Sequence, residues 1–194
     1  MAGGRGSRLG GANKAGLVVG GATSLDRVRG ALGDLVQETI LVVNDDSLGG
    51  TPGVRLVRDP EPHAGVLPAL LASLEAASHP RCLLVACDMP FLDARLLAWL
   101  LDQLAEFDVV IPEVGGQLQP MHAAYARDAC RAAISRALAR GERRMISFLD
   151  DLRVRQVGKD ELRAFDPELR SFFNINTPED LAEAQRIASS NLTP

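Results

Sequence analysis

The chain of 194 residues is long enough for one domain with a sizeable core, and two independent domains would be crowded. Its net charge of −4 at pH 7 argues against nucleic acid as the main partner, because binding a phosphate backbone usually needs a basic surface. The hydrophobic content is 46%, and no apolar run approaches the roughly 20 residues of a membrane span, so we expect a globular cytoplasmic protein with no membrane partner.

The amino-terminal stretch 2–14 combines glycine with positive charge. It holds five glycines together with Arg5, Arg8 and Lys14. Glycine allows the backbone to approach a ligand closely, and the basic side chains add charge that attracts phosphate. The stretch lacks the G-K-[ST] ending of a P-loop and the G-x-G-x-x-G fingerprint in its strand-to-helix setting. It therefore predicts a polyphosphate-binding loop of another kind.

Further along the chain, short apolar runs alternate with longer amphipathic stretches, a pattern typical of strands joined by helical crossovers. We predict strands at 39–43, 55–57, 81–86, 109–111, 154–157 and 172–175, and helices at 25–32, 66–77, 94–105, 128–139 and 178–188. Thr177 is expected to cap the last helix. The prediction is a single α/β domain over 1–194, Rossmann-like, with a mostly parallel sheet flanked by helices.

Three polar residues follow predicted strands, where ligands gather in open α/β sheets. Asp88 comes after a buried strand and suits Mg²⁺ binding, although a turn or helix-cap role is the alternative. With the glycine-rich loop, metal binding is favoured. Asn44 and Asp59 could bind a base or ribose, or form ordinary turns.

The second half of the chain offers candidates for a second substrate. Gln119 and Pro120 belong to one short motif, and Arg143 and Arg144 could hold a phosphate or lie on a solvated helix face. Asn174 and Asn176 alternate along the predicted strand at 172–175 and its end, so one could face the site while the other serves local bonding.

Other side chains are assigned to structure. The cysteines have no zinc-ligand spacing, so we expect reduced, partly buried thiols at Cys82, Cys87 and Cys130. His79 is expected in a surface turn, and the apolar residues around Trp99 are expected in the core: Leu96, Leu97, Leu100 and Leu101.

Together these motifs resemble the molybdenum cofactor guanylyltransferase family, a branch of the nucleotide-diphospho-sugar-transferase-like nucleotidyltransferases. The family pattern Leu-Ala-Gly-Gly, Arg, Gly, Asp-Lys is matched here by Met1-Ala2-Gly3-Gly4, Arg8, Gly10 and Asn13-Lys14, with Asn13 in place of the family aspartate. The resemblance continues in order through Val43-Asn44, Asp59, Cys87-Asp88-Met89-Pro90, Gln119-Pro120, Gly141-Glu142-Arg143-Arg144 and Asn174-Ile175-Asn176-Thr177-Pro178-Glu179-Asp180-Leu181. The Ala2-Gly3-Gly4 sequence resembles GTP users, whereas related cytidylyltransferases tend to carry Ala-Ala-Gly.

The resemblance implies a Mg²⁺-dependent transfer of GMP from GTP to the terminal phosphate of molybdopterin, with residues 1–100 binding the nucleotide and 101–194 the acceptor. It implies that Arg8, Lys14 and Asp88 are catalytic, with Asp88 as the metal ligand. The nucleotide would be bound by Ala2, Gly3, Gly4, Lys14, Asn44, Asp59 and Asp88. The acceptor would be bound by Gln119, Pro120, Arg143, Arg144, Asn174 and Asn176, with Asn176 serving the metal or the incoming phosphate.

The implied partners are GTP, molybdopterin or the molybdenum cofactor, cofactor insertion proteins and target molybdoenzymes. Two alternatives stay open: a related nucleotidyltransferase that uses CTP or another phosphorylated acceptor, and a catalytically silent nucleotide-binding homologue. The family begins with an apolar strand in the middle of the sheet, which leads into the glycine loop. We expect that strand to be missing here and the native start to lie upstream of Met1.

Overall fold

A computed structural model of the chain describes residues 14–43, 52–60 and 65–190. Five residues that we predicted as catalytic or nucleotide-binding lie outside these ranges: Ala2, Gly3, Gly4, Arg8 and Asn44. The expected missing strand concerns the chain ahead of Met1, and no described residue tests it.

Strands and helices alternate along the described chain. The strands are β1 (Val18–Val19), β2 (Ala22–Thr23), β3 (Ile40–Val43), β4 (Arg55–Arg58), β5 (Arg81–Val85), β6 (Val109–Val114), β7 (Gln117–Leu118), β8 (His122–Ala126) and β9 (Val154–Val157). The α-helices are α1 (Ser24–Leu32), α2 (Val66–Ala76), α3 (Ala94–Asp102), α4 (Arg127–Ala139), α5 (Lys159–Arg163) and α6 (Pro178–Ser190). Short 3₁₀ turns include Lys14–Gly16 and Arg170–Phe172.

The larger sheet is mixed. Its order is β5-β8-β6-β7, and β9 pairs with β6. Strand β8 runs antiparallel to both β5 and β6, and β9 runs parallel to β6, so β5, β6 and β9 all point the same way. A second pair, β3 and β4, is parallel. The predicted α/β class with a helix-flanked sheet is confirmed, and β8 is a reversed strand that the sequence pattern did not reveal.

Helices cover both faces of the larger sheet. Helices α2 and α4 pack on one face, where Leu70, Ile134 and Phe148 are fully buried. Helices α1 and α3 cover the other face in a second cluster that includes Leu97. The predicted core residues around Trp99 belong to this second cluster, with Leu96, Leu97 and Leu100 fully buried. Because helices cover both faces of the sheet, polar side chains of a functional site are expected at the ends of the strands.

A cavity of about 290 Å³ lies between the two sheets. Residues of β3 and β5, including Leu41 and Leu84, line it together with apolar residues of α1 and α2. Among the described residues, the ladder pairs do not join β3 to β5. These two strands therefore present edges across an apolar space.

The predicted strand at 172–175 is wrong. Leu169 adopts a left-handed conformation with φ 54°, and a 3₁₀ turn follows at Arg170–Phe172. The amides of Phe172 and Phe173 donate to the carbonyls of Leu169 and Arg170, so these amides bond within the turn instead of a strand ladder. The apolar residues of this segment pack into the core although its backbone is irregular: Phe172 contacts one cluster, and Phe173 and Ile175 belong to another.

Within the described residues, no helix combines the length and apolarity that crossing a membrane requires.

Candidate active site

Asp88 lies just beyond the carboxyl end of β5, as predicted. The amide of Ala86 donates to the carbonyl of Met121 at 3.0 Å, which continues the β5–β8 pairing past the end of the strand. The amide of Ile175 donates to the carbonyl of Asp88, also at 3.0 Å. Because these two hydrogen bonds hold the backbone at and before Asp88, the position of its carboxylate at the sheet edge is well defined.

Lys14 joins Asp88 to Asn176. Its ammonium Nζ lies 2.9 Å from Asp88 Oδ2 and 2.6 Å from Asn176 Oδ1. The Lys14 and Asp88 side chains are 19% and 15% exposed, so water screens their attraction less than at an open surface. The structure thus brings together three residues that we predicted separately, one from each third of the chain.

The start of α6 orients Asn176. Asp180 Oδ2 accepts hydrogen bonds from the amides of Asn176 and Thr177, both at 2.8 Å, and the Thr177 hydroxyl accepts one from the amide of Asp180. The amide of Asn176 is the main reason that the pKa of Asp180 lies below its usual range, and nearby Lys14 adds to the effect. The predicted cap at Thr177 is confirmed, and it fixes the backbone of Asn176.

A small apolar cluster supports both Lys14 and Asn176. Val19 of β1 packs with Ile175 and with Ala184 and Ala188 of α6, and all four are buried. Lys14 lies just before β1, and Asn176 follows Ile175 directly. Burial of this cluster therefore helps to hold together the two chain segments that carry Lys14 and Asn176.

Asp59 and the segment of Gln119 and Pro120 also lie near ends of strands. The amide of Asp59 donates to the carbonyl of Val43, the last residue of β3, at 2.9 Å. The amide of Gln119 donates to the Pro112 carbonyl, and the Pro120 carbonyl accepts from the Tyr125 hydroxyl at 2.7 Å. The Gln119 and Tyr125 bonds tie the β7–β8 loop to β6 and β8, and the bond from the amide of Ala86 to the carbonyl of Met121 joins that loop to the segment that leads to Asp88.

Arg143 and Arg144 lie on the loop after α4 and are exposed. Gly141 ends the helix with φ 80°, and the amide of Glu142 donates back to the carbonyl of Ala137. A Cβ placed on Gly65 would lie 3.3 Å from the Arg143 carbonyl oxygen, so this loop adjoins the start of α2. The arginine pair thus lies beyond α4, not on a helix face.

The two asparagines near α6 have different environments. Asn176 contacts Lys14, whereas the Asn174 amide group donates to the Phe172 carbonyl at 3.1 Å. Asn176 thus lies at the candidate site and Asn174 bonds within its own segment, and the functional roles of both residues stay predictions. This difference does not arise from a strand, because residues 172–175 do not form one.

Sequence reasoning missed the environment of His122, which is fully buried at the start of β8. Its ring stacks on Phe172 with centroids 4.5 Å apart, and Nδ1 lies 3.2 Å from the Ser171 carbonyl oxygen. Burial lowers the pKa of His122 to about 4, so the ring is neutral at pH 7. The cysteines are free thiols as predicted, and burial raises the pKa of Cys87, beside Asp88, which disfavours a thiolate nucleophile.

The oxygen atoms of Asp88 and Asn176 that surround the Lys14 ammonium suit a hard cation that takes its other ligands from a substrate. The described residues contain no group of three or more His, Cys, Asp or Glu side chains that could hold a metal by themselves. However, Asp88 Oδ2 and Asn176 Oδ1 both already lie against one cation, the Lys14 ammonium. Mg²⁺ commonly takes one or two protein ligands and completes its shell with phosphates and water. A carboxylate and an amide oxygen at this edge fit that mode of binding.

Residues 1–156 match the MobA-like NTP transferase domain. The chain belongs to the MobA-like NTP transferase family. It is 36% identical to a probable molybdenum cofactor guanylyltransferase of Pelotomaculum thermopropionicum over 100% of this chain and 93% of the relative. It is 35% identical to a molybdenum cofactor guanylyltransferase of Desulfosudis oleivorans, over 95% and 92% of the two chains.

Solved structures agree with this MobA-like assignment. Molybdopterin-guanine dinucleotide biosynthesis protein A of Archaeoglobus fulgidus superposes with a TM-score of 0.81 at 31% identity, over 97% of this chain and 96% of that chain. A 2-C-methyl-D-erythritol 4-phosphate cytidylyltransferase of Thermus thermophilus superposes with a TM-score of 0.68 at 22% identity, over 91% and 94%. The second likeness supports the fold alone, and the family identifies the chain as a nucleotidyltransferase.

Proposed function

We propose that this protein transfers GMP from GTP to the terminal phosphate of molybdopterin, in the form of the molybdenum cofactor, and releases pyrophosphate. The names of its full-length relatives support this acceptor and this nucleotide. The observation that carries the proposal in this chain is the contact of Lys14 with both Asp88 and Asn176 at the carboxyl edge of the sheet.

The reaction needs alignment and charge stabilisation more than proton abstraction. An oxygen of the acceptor phosphate forms a bond to the α-phosphorus of GTP, and the bond between that phosphorus and the α,β-bridging oxygen breaks. A phosphate monoester has its second pKa near 6, so most of it is already dianionic at pH 7. A strong general base is therefore unnecessary.

The residues predicted to bind the nucleotide and the metal have distinct proposed roles. Lys14 and Arg8 bind the phosphates of GTP, and Ala2, Gly3 and Gly4 contribute to nucleotide binding. Asp88 holds Mg²⁺, which would neutralise phosphate charge when bound. Asn44 and Asp59 bind the guanosine.

The acceptor side is proposed to use the second half of the chain. Gln119 and Pro120 border the Asp88 segment, and Arg143 and Arg144 supply exposed positive charge for the pterin phosphate. Asn176 contacts the metal or the incoming phosphate, and Asn174 supports the same segment. We further propose a cytoplasmic enzyme that passes its product to cofactor insertion proteins and target molybdoenzymes.

A thermal-shift panel with GTP, CTP, UTP and ATP, each with Mg²⁺, tests the nucleotide. Ligands that bind the folded state raise the melting temperature in proportion to the logarithm of their concentration over Kd. We expect the largest increase with GTP. Preferential stabilisation by CTP would favour the cytidylyl alternative, and binding without any transfer would favour a silent homologue.

A further inference from the structure

Ser24 is a fully buried serine that hydrogen-bonds to two separate segments of the candidate site. It is the first residue of α1 and is 0% exposed. Its amide donates to the Leu17 carbonyl at 2.7 Å, and its hydroxyl donates to the Cys87 carbonyl at 2.6 Å. One buried residue therefore bonds to two segments that are far apart in sequence.

These two segments carry the charged pair of the candidate site. Leu17 lies three residues after Lys14 and its amide donates to the Lys14 carbonyl at 3.3 Å. Cys87 is the residue before Asp88. The contacts close a ring that runs from Lys14 through Leu17, Ser24, Cys87 and Asp88 back to Lys14, whose ammonium lies 2.9 Å from Asp88 Oδ2.

The surroundings of Ser24 make the ring rigid. Thr23 caps α1, because its hydroxyl oxygen accepts from the amide of Asp26 at 3.0 Å. Arg27 donates from Nε to the Val19 carbonyl at 2.6 Å, which ties the first turn of α1 to β1. These bonds fix the position of the amino-terminal end of α1, which carries Ser24. The hydroxyl bond to Cys87 then sets the distance between this helix end and the Asp88 segment.

We propose that Ser24 is a positioning residue that holds Lys14 in register with Asp88. Its expected effect on catalysis rests on the proposed guanylyl transfer, whereas its effect on the Lys14–Asp88 contact does not. Without the hydroxyl, the buried Cys87 carbonyl loses this donor, and the two segments are free to separate. Misplacement of reacting groups by even about 1 Å can cost about 100-fold in rate.

The sequence offers a direct probe of this contact, because its only lysines are Lys14 and Lys159. Lys159 begins α5 and is exposed, so it serves as an internal reference. The protein is treated with a limiting amine-acylating reagent, and mass spectrometry gives the labelling rate of Lys14 relative to Lys159. The variants are Ser24→Ala, Ser24→Cys and the control Ser73→Ala, which removes a hydroxyl bond to the Leu70 carbonyl of 2.7 Å within α2.

We expect Ser24→Ala to raise the relative labelling of Lys14 several-fold and to lower kcat at least about tenfold with a smaller change in KM. Ser24→Cys keeps the volume and a weak donor, and it should fall between wild type and Ser24→Ala. Ser73→Ala removes a hydroxyl bond that lies within one helix, so it should leave both readouts unchanged. If Ser24→Ala does not fold, the labelling of Ser24→Cys decides the question.

The outcomes separate the two proposals. Unchanged Lys14 labelling in the folded Ser24 variants overturns the positioning role, even if the wild-type protein transfers GMP. Raised labelling with no GMP transfer by the wild type supports the positioning role and overturns the proposed function.

Discussion

At the scale of single residues, the partly buried contact of Lys14 with Asp88 is the centre of the proposed site. Opposite charges attract more strongly where water is partly excluded, so the pair holds the Lys14 ammonium at the sheet edge in the absence of ligand. In the proposed reaction the Lys14 ammonium would bind phosphate oxygens, and Asp88 would hold Mg²⁺, which would neutralise phosphate charge. Substitutions at the two residues should therefore affect different binding steps.

Replacing Asp88 by asparagine removes the negative charge and keeps the shape. We expect kcat for Mg²⁺-dependent pyrophosphate release to fall on the order of 100-fold or more, because the neutral amide lacks the negative charge with which the carboxylate attracts the ion. The melting temperature should change little. Asp128→Asn, which alters an exposed carboxylate paired with Arg127, is the control and should keep full activity. Normal turnover in Asp88→Asn would exclude Asp88 from the mechanism.

Replacing Lys14 by alanine should weaken GTP binding at least about tenfold, since it removes a charge-assisted contact to phosphate. Isothermal titration calorimetry measures the effect. Lys159→Ala removes the other lysine of the chain from an exposed position and should bind GTP as the wild type does. Equal affinities in the two variants would count against a phosphate role for Lys14.

The buried His122 makes stability depend on pH. Its pKa is about 4 in the folded protein, below the usual value of about 6.5, because burial disfavours the charged ring. As the pH falls below about 6.5, His122 becomes protonated in the unfolded chain but stays neutral in the folded protein, so the free energy of unfolding decreases. The loss from this group is complete near pH 4 and amounts to about 3 kcal/mol.

Urea denaturation at several pH values tests this dependence. His122→Asn should be less stable at pH 7 but lose less stability between pH 6.5 and 4 than the wild type does. His79→Asn, at an exposed turn, should keep the wild-type slope. An unchanged slope in His122→Asn would show that His122 is not the group responsible.

At the scale of elements, the β1–β2 hairpin and α6 form the support beneath Lys14 and Asn176. Gly20 and Gly21 form the turn, with φ of 56° and 84°. A Cβ on Gly20 would lie 2.8 Å from the Cβ of Ala188 in α6, whereas a Cβ on Gly21 would meet nothing within 4 Å. The close approach of the hairpin to α6 therefore depends on Gly20.

Alanine substitutions at these two glycines separate packing from backbone strain. Both variants place a side chain at positive φ, but Gly20→Ala also forces the hairpin away from α6. We expect Gly20→Ala to lose about 1–3 kcal/mol more unfolding free energy than Gly21→Ala, as measured in urea. Equal losses would mean that α6 adjusts freely and that the hairpin does not fix its position.

Sequence patterns predicted the long elements well and the short or reversed ones poorly. The predicted strand at 154–157 matches β9, and the five predicted helices match α1, α2, α3, α4 and α6 closely. Strand β8 was missed because His122–Ala126 contains three alanines and no β-branched residue, so its propensity for a strand is low. Its pairing with β5 and β6 on both sides overrides that propensity.

At the scale of the whole molecule, the site exists only because the complete fold joins distant parts of the chain. Lys14 is 74 residues from Asp88 and 162 residues from Asn176. Local patterns predicted each residue as a candidate, and the rule for sheet edges placed Asp88 correctly. The contacts of Ser24 could not be predicted, because a buried hydroxyl bond to a carbonyl 63 residues away leaves no periodic signal.

Detection of the product tests the proposed guanylyl transfer most directly. Purified protein is incubated with GTP, Mg²⁺ and molybdenum cofactor, and mass spectrometry follows the dinucleotide form while pyrophosphate is assayed in parallel. We predict one pyrophosphate for each molybdopterin–guanine dinucleotide formed, with far less product when CTP replaces GTP and almost none with Asp88→Asn. Absence of the guanine dinucleotide from the folded wild-type protein, or preferential formation of the cytosine form, would contradict it.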